Sequence, residues 1–194
     1  MTPKSVLFGL FVIFVVTWVG AGIWAKQTVV ALPNRALMPL YVSALIGALL
    51  FAVSSFLFPV LRIRLWEENV LIDWPMVAIC AIGLGWCWWA RIHLGNLWSA
   101  GVSRKEGHRV IDTGPYGIVR HPIYTGGFLA AFAAAAVHAH LLALLLALFV
   151  TIVFTCKAFL EEGFLREEFG QSYEAYRKRV PMLVPFLKLR STAK

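Results

Sequence analysis

The residues that could do chemistry are concentrated between Gly114 and Gly127, in the run Gly-Pro-Tyr-Gly-Ile-Val-Arg-His-Pro-Ile-Tyr-Thr-Gly-Gly. Pro122 suits the first turn of a helix, because its ring fixes φ and its missing N–H falls where helix donors have no partner. A helix that begins at His121 or Pro122 turns its positive end toward Arg120, which predicts a site for a carboxylate or phosphate. The alternative is a loop with an ordinary basic flank that enters a membrane helix.

The composition around this stretch is that of an integral membrane protein. The chain has 194 residues, of which 60% are hydrophobic and 14% charged, whereas about 25% of residues are charged in soluble domains. We expect one membrane domain over residues 1–194, with three N-terminal spans in 1–93 and the polar segments in 94–194. The net charge of +8 does not indicate nucleic acid, because the cations flank apolar segments, as they do beside an anionic leaflet.

Five apolar segments are expected to cross the membrane as helices, which predicts an all-α fold. They are residues 6–25, 37–61, 75–92, 122–137 and 141–159, with Pro75 opening the third. Only His138-Ala139-His140 joins the last two segments, so they must form an antiparallel hairpin. The three cysteines lie in apolar segments and have no ligand spacing, which supports neither a disulfide framework nor a metal site.

Three polar segments connect these spans: a short turn at 26–35, a charged hairpin connection at 62–73 and a long loop at 94–121. Loops as long as the last usually carry function. The tail from residue 160 is predicted to form an amphipathic helix that Pro181 ends. Its apolar positions recur at intervals of four, four, three and four residues. They are Leu165, Phe169, Tyr173, Tyr176 and Val180.

The charge distribution predicts the orientation. Of the 18 Lys and Arg residues, only Lys4, Arg62 and Arg64 fall on one side of a five-span arrangement, and fifteen fall on the other. By the positive-inside rule, loop 94–121 and the C-terminus are expected to be cytoplasmic. The long loop and the C-terminal tail then meet on one face.

Two groups of residues resemble the signature of the isoprenylcysteine carboxyl methyltransferases. The first is His108, Gly114-Pro115-Tyr116 and Arg120-His121-Pro122-x-Tyr124-x-Gly126. The second is Glu161-Glu162, Leu165, Phe169-Gly170, Tyr173, Tyr176, Val180-Pro181 and Pro185. The resemblance covers roughly residues 94–187, and it is specific because two motifs occur in order on either side of a helical hairpin.

The resemblance implies a membrane O-methyltransferase that uses S-adenosylmethionine. Residues 94–194 would be the catalytic half, with the cofactor between the long loop, the start of the fourth span and the C-terminal helix. The implied partners are membrane lipids and a prenylated cysteine, whose carboxylate is the methyl acceptor, or another lipid-like acceptor. Related membrane methyltransferases act on phospholipid amines or small thiols, so these acceptors stay open.

The implied catalytic residues are Arg120, Glu161 and Glu162. The implied cofactor-binding residues are His108, Pro115, Tyr116, His121, Pro122, Tyr124, Glu161, Glu162 and Tyr173. S-adenosylmethionine requires a cation or helix start for its carboxylate, an anion for its ammonium, and aromatic surfaces. Adjacent helical residues point about 100° apart, so one glutamate faces the cofactor and the other anchors the tail. The sequence leaves open which does so, and whether Lys157 pairs with a glutamate or snorkels.

The acceptor decides whether a general base is needed. A carboxylate is already ionised at neutral pH, whereas a thiol or amine would require a proton acceptor such as Glu161, Glu162 or His121. A second enzyme class is an NADPH-dependent membrane reductase related to sterol reductases, with Arg104, Lys105 and Arg109 as candidate phosphate contacts. A channel or scaffold is disfavoured because the predicted spans contain almost no ionisable residues.

Overall fold

A computed structural model describes residues 1–21, 28–31, 63–95, 103–105 and 110–187. The helices in these ranges are α1 (Pro3–Gly20), α2 (Val70–Leu94), α3 (Pro122–His138), α4 (Leu141–Phe169) and α5 (Gln171–Arg179), with a 3-10 turn at Gly114–Gly117. The all-helical prediction accounts for these ranges except for a short antiparallel sheet of β1 (Thr28–Ala31) and β2 (Ser103–Lys105). This sheet ties the predicted polar turn at 26–35 to the long loop.

Three of the described helices are long and apolar enough to cross a membrane: α1, α2 and α4. They correspond to the first, third and fifth predicted spans. α3 corresponds to the fourth, but at 17 residues it is shorter than the other three. The predicted second span, 37–61, lies outside the described residues. The apolar helices and the composition identify an integral membrane protein.

The helix ends show which local signals dominate. α2 begins at Val70 and not, as predicted, at Pro75, because the Asn69 side chain accepts a hydrogen bond from the Leu71 N–H at 2.9 Å and caps the helix there. α3 begins at Pro122, as predicted. It ends at His138 and α4 begins at Leu141, which confirms the predicted hairpin.

The core lies where α2 crosses α3, and two glycines set the distance of approach. A Cβ atom at Gly126 would lie 2.6 Å from the Gly83 carbonyl oxygen, and one at Gly83 would lie 2.7 Å from the Gly126 carbonyl oxygen. Small residues thus allow the two backbones to touch. The buried cluster around the crossing comprises Leu7, Val77, Cys80, Leu84, Ala130, Ala133 and Val137. This contact fixes the start of α3 relative to the end of α2.

One end of the bundle collects the start of α1, the segment at 63–68 and the α3–α4 turn. The Lys4 ammonium donates to Glu68 at 2.7 Å, and the Leu65 N–H donates to the Ala139 carbonyl at 2.8 Å. The Trp66 indole donates to the Ala136 carbonyl at 3.2 Å. The start of α3 and the end of α4, with the tail that follows it, therefore lie at the opposite end of the bundle.

The tail differs from the single amphipathic helix that the sequence predicts. α4 continues to Phe169, the chain turns at Gly170 with φ of 53°, and α5 follows. A positive φ is accessible to glycine at little cost, which explains the break. The predicted apolar face is nevertheless confirmed, because Tyr173, Tyr176 and Val180 are buried together against Leu165 and Phe169.

Candidate active site

Glu162 is the centre of a buried polar network. One carboxylate oxygen accepts hydrogen bonds from Arg120 Nε at 2.7 Å and from the Tyr173 hydroxyl at 2.9 Å, and it lies 3.2 Å from His121 Nε2. The other oxygen accepts from Arg120 Nη2 at 3.1 Å. A single carboxylate on α4 therefore joins the start of α3 to α5.

All three nitrogen atoms of the Arg120 guanidinium donate hydrogen bonds within the protein. Nε and Nη2 donate to Glu162, while Nη1 donates to the carbonyl oxygens of Val180 at 2.5 Å and Arg177 at 3.2 Å. The side chain is only 9% exposed. Since all three nitrogens have protein acceptors, Arg120 locks the C-terminal segment onto the start of α3.

The segment 181–183 also covers the start of α3. Three hydrogen bonds make this connection: Arg120 N–H to Pro181 O at 2.9 Å, His121 N–H to Met182 O at 3.1 Å, and Thr125 Oγ1 to Leu183 O at 2.6 Å. The sequence predicts an anion site at this helix start. In the structure, the carbonyl oxygens of Pro181 and Met182 accept from the two N–H groups that directly precede this helix.

Glu161 has a different environment from its neighbour. Its side chain is 19% exposed, against 3% for Glu162. One oxygen accepts from the Tyr124 hydroxyl at 2.8 Å and lies 3.9 Å from Lys157 Nζ, and the other lies 3.4 Å from His121 Nδ1. Glu162 therefore anchors the tail, and Glu161 is the more accessible carboxylate of the pair.

His121 lies between the two glutamates. Nδ1 faces Glu161 and Nε2 faces Glu162, and a neutral imidazole has only one N–H to offer to two carboxylates. Burial lowers the pKa of His121, but the hydrogen bonds to both carboxylates outweigh that effect and raise it above its usual 6.5. The imidazolium form fits this geometry. Its ring stacks on Tyr124 with centroids 5.5 Å apart and planes 2° apart.

The Gly-Pro-Tyr turn packs beside this network. The Tyr176 hydroxyl donates to the Tyr116 carbonyl at 2.7 Å, and burial raises the pKa of both phenols, which keeps them neutral. His93, which is not among the predicted site residues, positions the turn. Its Nε2 lies 2.9 Å from Thr113 Oγ1, and its ring fills the space in which a Cβ at Gly114 would stand. The position of His93 near the end of a predicted span is the feature of the sequence that could have indicated this role.

The predicted site residues fall into three groups. One network unites Arg120, His121, Tyr124, Glu161, Glu162 and Tyr173. The buried residues Pro115, Tyr116 and Pro122 shape the two turns next to it. His108 lies outside the described residues.

Several characterised proteins are similar in sequence to this part of the chain. The model of the isoprenylcysteine carboxyl methyltransferase (ICMT) family matches residues 76–167. A protein-S-isoprenylcysteine O-methyltransferase of Schizosaccharomyces pombe is 35% identical over 85 residues, which are 43% of this chain and 36% of that protein. Methanethiol S-methyltransferase 2 of Bradyrhizobium diazoefficiens is 47% identical over 76 residues, 39% of this chain and 28% of its own. The chain thus spans about a third of the length of these relatives.

The fold also has a solved counterpart, the eukaryotic intramembrane Ras methyltransferase ICMT. The TM-score is 0.56 with 24% sequence identity, over 76% of this chain and 53% of the other. The two proteins therefore share a fold. The matched range 76–167 contains Arg120, His121, Tyr124 and both glutamates. Residues 76–167, which include the start of α3 and both glutamates, are thus similar to the isoprenylcysteine carboxyl methyltransferase family.

Proposed function

We propose that this chain is an S-adenosylmethionine-dependent membrane methyltransferase whose acceptor is the carboxylate of a prenylated cysteine or of a similar lipid-like molecule. The observation that carries the proposal is the buried network at the start of α3. It lies in the part of the chain that matches the methyltransferase family, and it holds two carboxylates side by side with different partners.

The donor set fits such a cofactor. Glu161 offers an accessible carboxylate for an ammonium group, and the ring of Tyr124, which stacks parallel to that of His121, offers an aromatic surface. S-adenosylmethionine held by these residues would supply a methyl group on a sulfonium, and the electron pair of the C–S bond would stay on sulfur. An ionised carboxylate would take up the methyl group without losing a proton.

The residues of the chain act by positioning and by excluding water. Glu162 and Arg120 hold α3, α4 and α5 together, so that Glu161 and the His121–Tyr124 pair keep a fixed geometry. The Tyr124 hydroxyl fixes one oxygen of Glu161. Alignment of reacting groups in a buried site is a major source of rate enhancement when the nucleophile is already ionised.

The charge distribution supports an orientation in the membrane. The N-terminal end of α1 and the α3–α4 turn share one end of the bundle, and the network lies at the other. In the five-span arrangement that the sequence predicts, fifteen of the 18 Lys and Arg residues fall on the side of the network. This supports a cytoplasmic site, with loop 94–121 and the C-terminus on that side.

Thiol S-methylation is the second candidate, because the methanethiol methyltransferase has the higher identity of the two relatives, 47% against 35%. A thiol with a pKa of about 8.5 must lose its proton. His121 is a poor acceptor for that proton, since both of its nitrogens already face carboxylates. Glu161 would then have to accept the proton as well as bind the ammonium of the cofactor, a double demand that a carboxylate acceptor does not make.

The test is an activity panel with detergent-solubilised protein. Radiolabelled S-adenosylmethionine is incubated with prenylated cysteine, a phospholipid amine or a small thiol. The proposal expects label in prenylated cysteine that alkali releases, as from an ester. Alkali-stable label in the thiol would establish the second candidate. Affinity for NADPH alone, with no transfer of label, would refute both.

A further inference from the structure

We propose that the segment from Val184 to Leu187 inserts its side chains into the membrane surface, where the cations on either side of it bind anionic lipid headgroups. The segment follows α5 and lies at the same end of the bundle as the network around Glu162. The inference is independent of the reaction that the site carries out.

Three side chains of this segment are exposed although all of them are apolar. Val184 is 53% exposed, Phe186 96% and Leu187 55%, and residues 180–187 include no polar side chain. Phe186 also has a φ of 65°, a left-handed conformation that large L-residues rarely adopt. Because no residue in the described ranges covers the Phe186 ring, a partner outside them would offset the cost of this conformation.

The position of the segment places it at the edge of the apolar layer. The Leu183 carbonyl oxygen, which directly precedes it, accepts a hydrogen bond at 2.6 Å from Thr125 Oγ1 in the first turn of α3. On the neighbouring helices, Ile92 near the end of α2 is 64% exposed, and Phe159, two residues before Glu161, is 58% exposed. Both helices are apolar enough to cross a membrane, so lipid reaches the level of the network.

Cations flank the apolar segment on both sides. Residues 177–194 contain six Lys and Arg residues and no Asp or Glu. Lys178 and Arg179 are exposed in the last turn of α5. Lys188 and Arg190 follow the segment in the sequence. Clusters of about four to eight cations beside a membrane-crossing helix attract anionic lipids, and each cation strengthens the attraction by about fivefold.

The apolar and the basic features together select the occupant. A second copy of this chain would place its own six cations against these, which disfavours a symmetric contact. A soluble anion would pair with the cations and leave Phe186 in water. An anionic bilayer provides an apolar layer for Phe186 and its neighbours and a charged surface for the cations.

The experiment measures which lipid contacts position 186. Phe186→Cys is made in a Cys156→Ser background, because Cys156 is exposed whereas Cys80 and Cys87 are buried, and the new thiol is labelled with an environment-sensitive fluorophore. The full-length protein is reconstituted in equimolar phosphatidylcholine and phosphatidylglycerol, with bromine on the acyl chains of one lipid or the other. We expect brominated phosphatidylglycerol to quench the label at least about twofold more than brominated phosphatidylcholine, and about 1 M salt to remove the difference.

Two controls separate depth from charge. A label introduced with Ser172→Cys, at an exposed position near the start of α5, should be quenched far less by either lipid. Lys178→Gln combined with Lys188→Gln and Arg190→Gln should abolish the preference for phosphatidylglycerol at position 186. Lys4→Gln, at the opposite end of the bundle, should retain that preference.

Four results would overturn the inference. They are quenching at position 186 no stronger than at position 172, equal quenching by both lipids at low salt, emission that responds to the protein-to-lipid ratio but not to bromine, as a second copy would produce, and loss of the preference on addition of soluble glycerol phosphate. The salt comparison leaves every cation in place, so the test survives a charge variant that fails to fold. Methyl transfer enters none of these readouts, so failure here leaves the proposed function intact.

Discussion

Replacing Glu162 with alanine should strongly destabilise the folded protein, because Glu162 is the centre of the buried network. The change removes four hydrogen-bonding contacts, to Arg120, His121 and Tyr173, from a side chain that is 3% exposed. The Arg120 guanidinium, itself 9% exposed, then remains buried without its carboxylate. Because an uncompensated buried charge is the dominant cost, this substitution should be among the most damaging in the described part of the chain.

The magnitude follows from that charge. Breaking a buried ion pair by removing one partner costs about 3–5 kcal/mol. For a chain of this length, 1 kcal/mol corresponds to a shift of roughly 2–4 °C in melting temperature, so Glu162→Ala should lower Tm by roughly 6–20 °C. Two bonds of Arg120 to tail carbonyls remain, which favours the lower part of the range.

Thermal unfolding of the detergent-solubilised protein measures this shift, with Glu167→Ala as the matched control. Glu167 is an exposed glutamate on the same helix, so its loss should change stability by no more than about 0.5 kcal/mol. A double-mutant cycle with Arg120→Ala isolates the pair. Equal Tm values for the two glutamate variants would refute the assignment of Glu162 as the anchor of the tail.

Three further predictions concern the crossing and the network. Gly126→Ala should destabilise the protein by about 1–3 kcal/mol, because the new Cβ would stand 2.6 Å from the Gly83 carbonyl oxygen. Gly127→Ala, where a Cβ meets nothing within 4 Å, should be neutral or stabilising in the same melting assay, and a reversed order would contradict the crossing. The pKa of His121 is raised above 6.5 in the folded protein, so the protonated ring should stabilise the fold fully below about pH 6.5 and lose this effect as the pH rises through the folded-state pKa. Tm should therefore fall over that pH range in the wild type but not in His121→Gln. Identical dependence of Tm on pH in the two proteins would rule out this role. Glu161→Gln should weaken the affinity for S-adenosylmethionine by about tenfold in a binding titration, with Tm nearly unchanged, and unaltered affinity would remove Glu161 from the cofactor site.

The sequence predicts the parts of the fold that local rules decide. Pro122 begins α3 because proline suits the first turn, and the link at 138–140 is too short for anything but a hairpin. The spacing of Tyr173, Tyr176 and Val180 correctly predicts their shared burial. Local rules compete elsewhere: the cap at Asn69 determines the start of α2, and the positive φ at Gly170 breaks the tail helix without disturbing its apolar face.

The roles of Glu161 and Glu162 could not be separated from the sequence. Their side chains point in different directions on one helix, and only the docking of α5, which brings the Tyr173 hydroxyl to Glu162, decides which becomes the anchor. The same holds for Lys157. Pairing and snorkelling are equally compatible with its position in the sequence, whereas the packing of α3 against α4 buries it beside Tyr124, 3.9 Å from Glu161.

The most direct test of the central claim is a single-turnover measurement of methyl transfer. Purified protein is loaded with S-adenosylmethionine labelled in the methyl group and mixed with prenylated cysteine or with its carboxamide. We expect a base-labile methyl ester with the acid and no labelled product with the amide. Label that resists alkali, or equal labelling of acid and amide, would contradict the claim that this network serves methylation of a carboxylate.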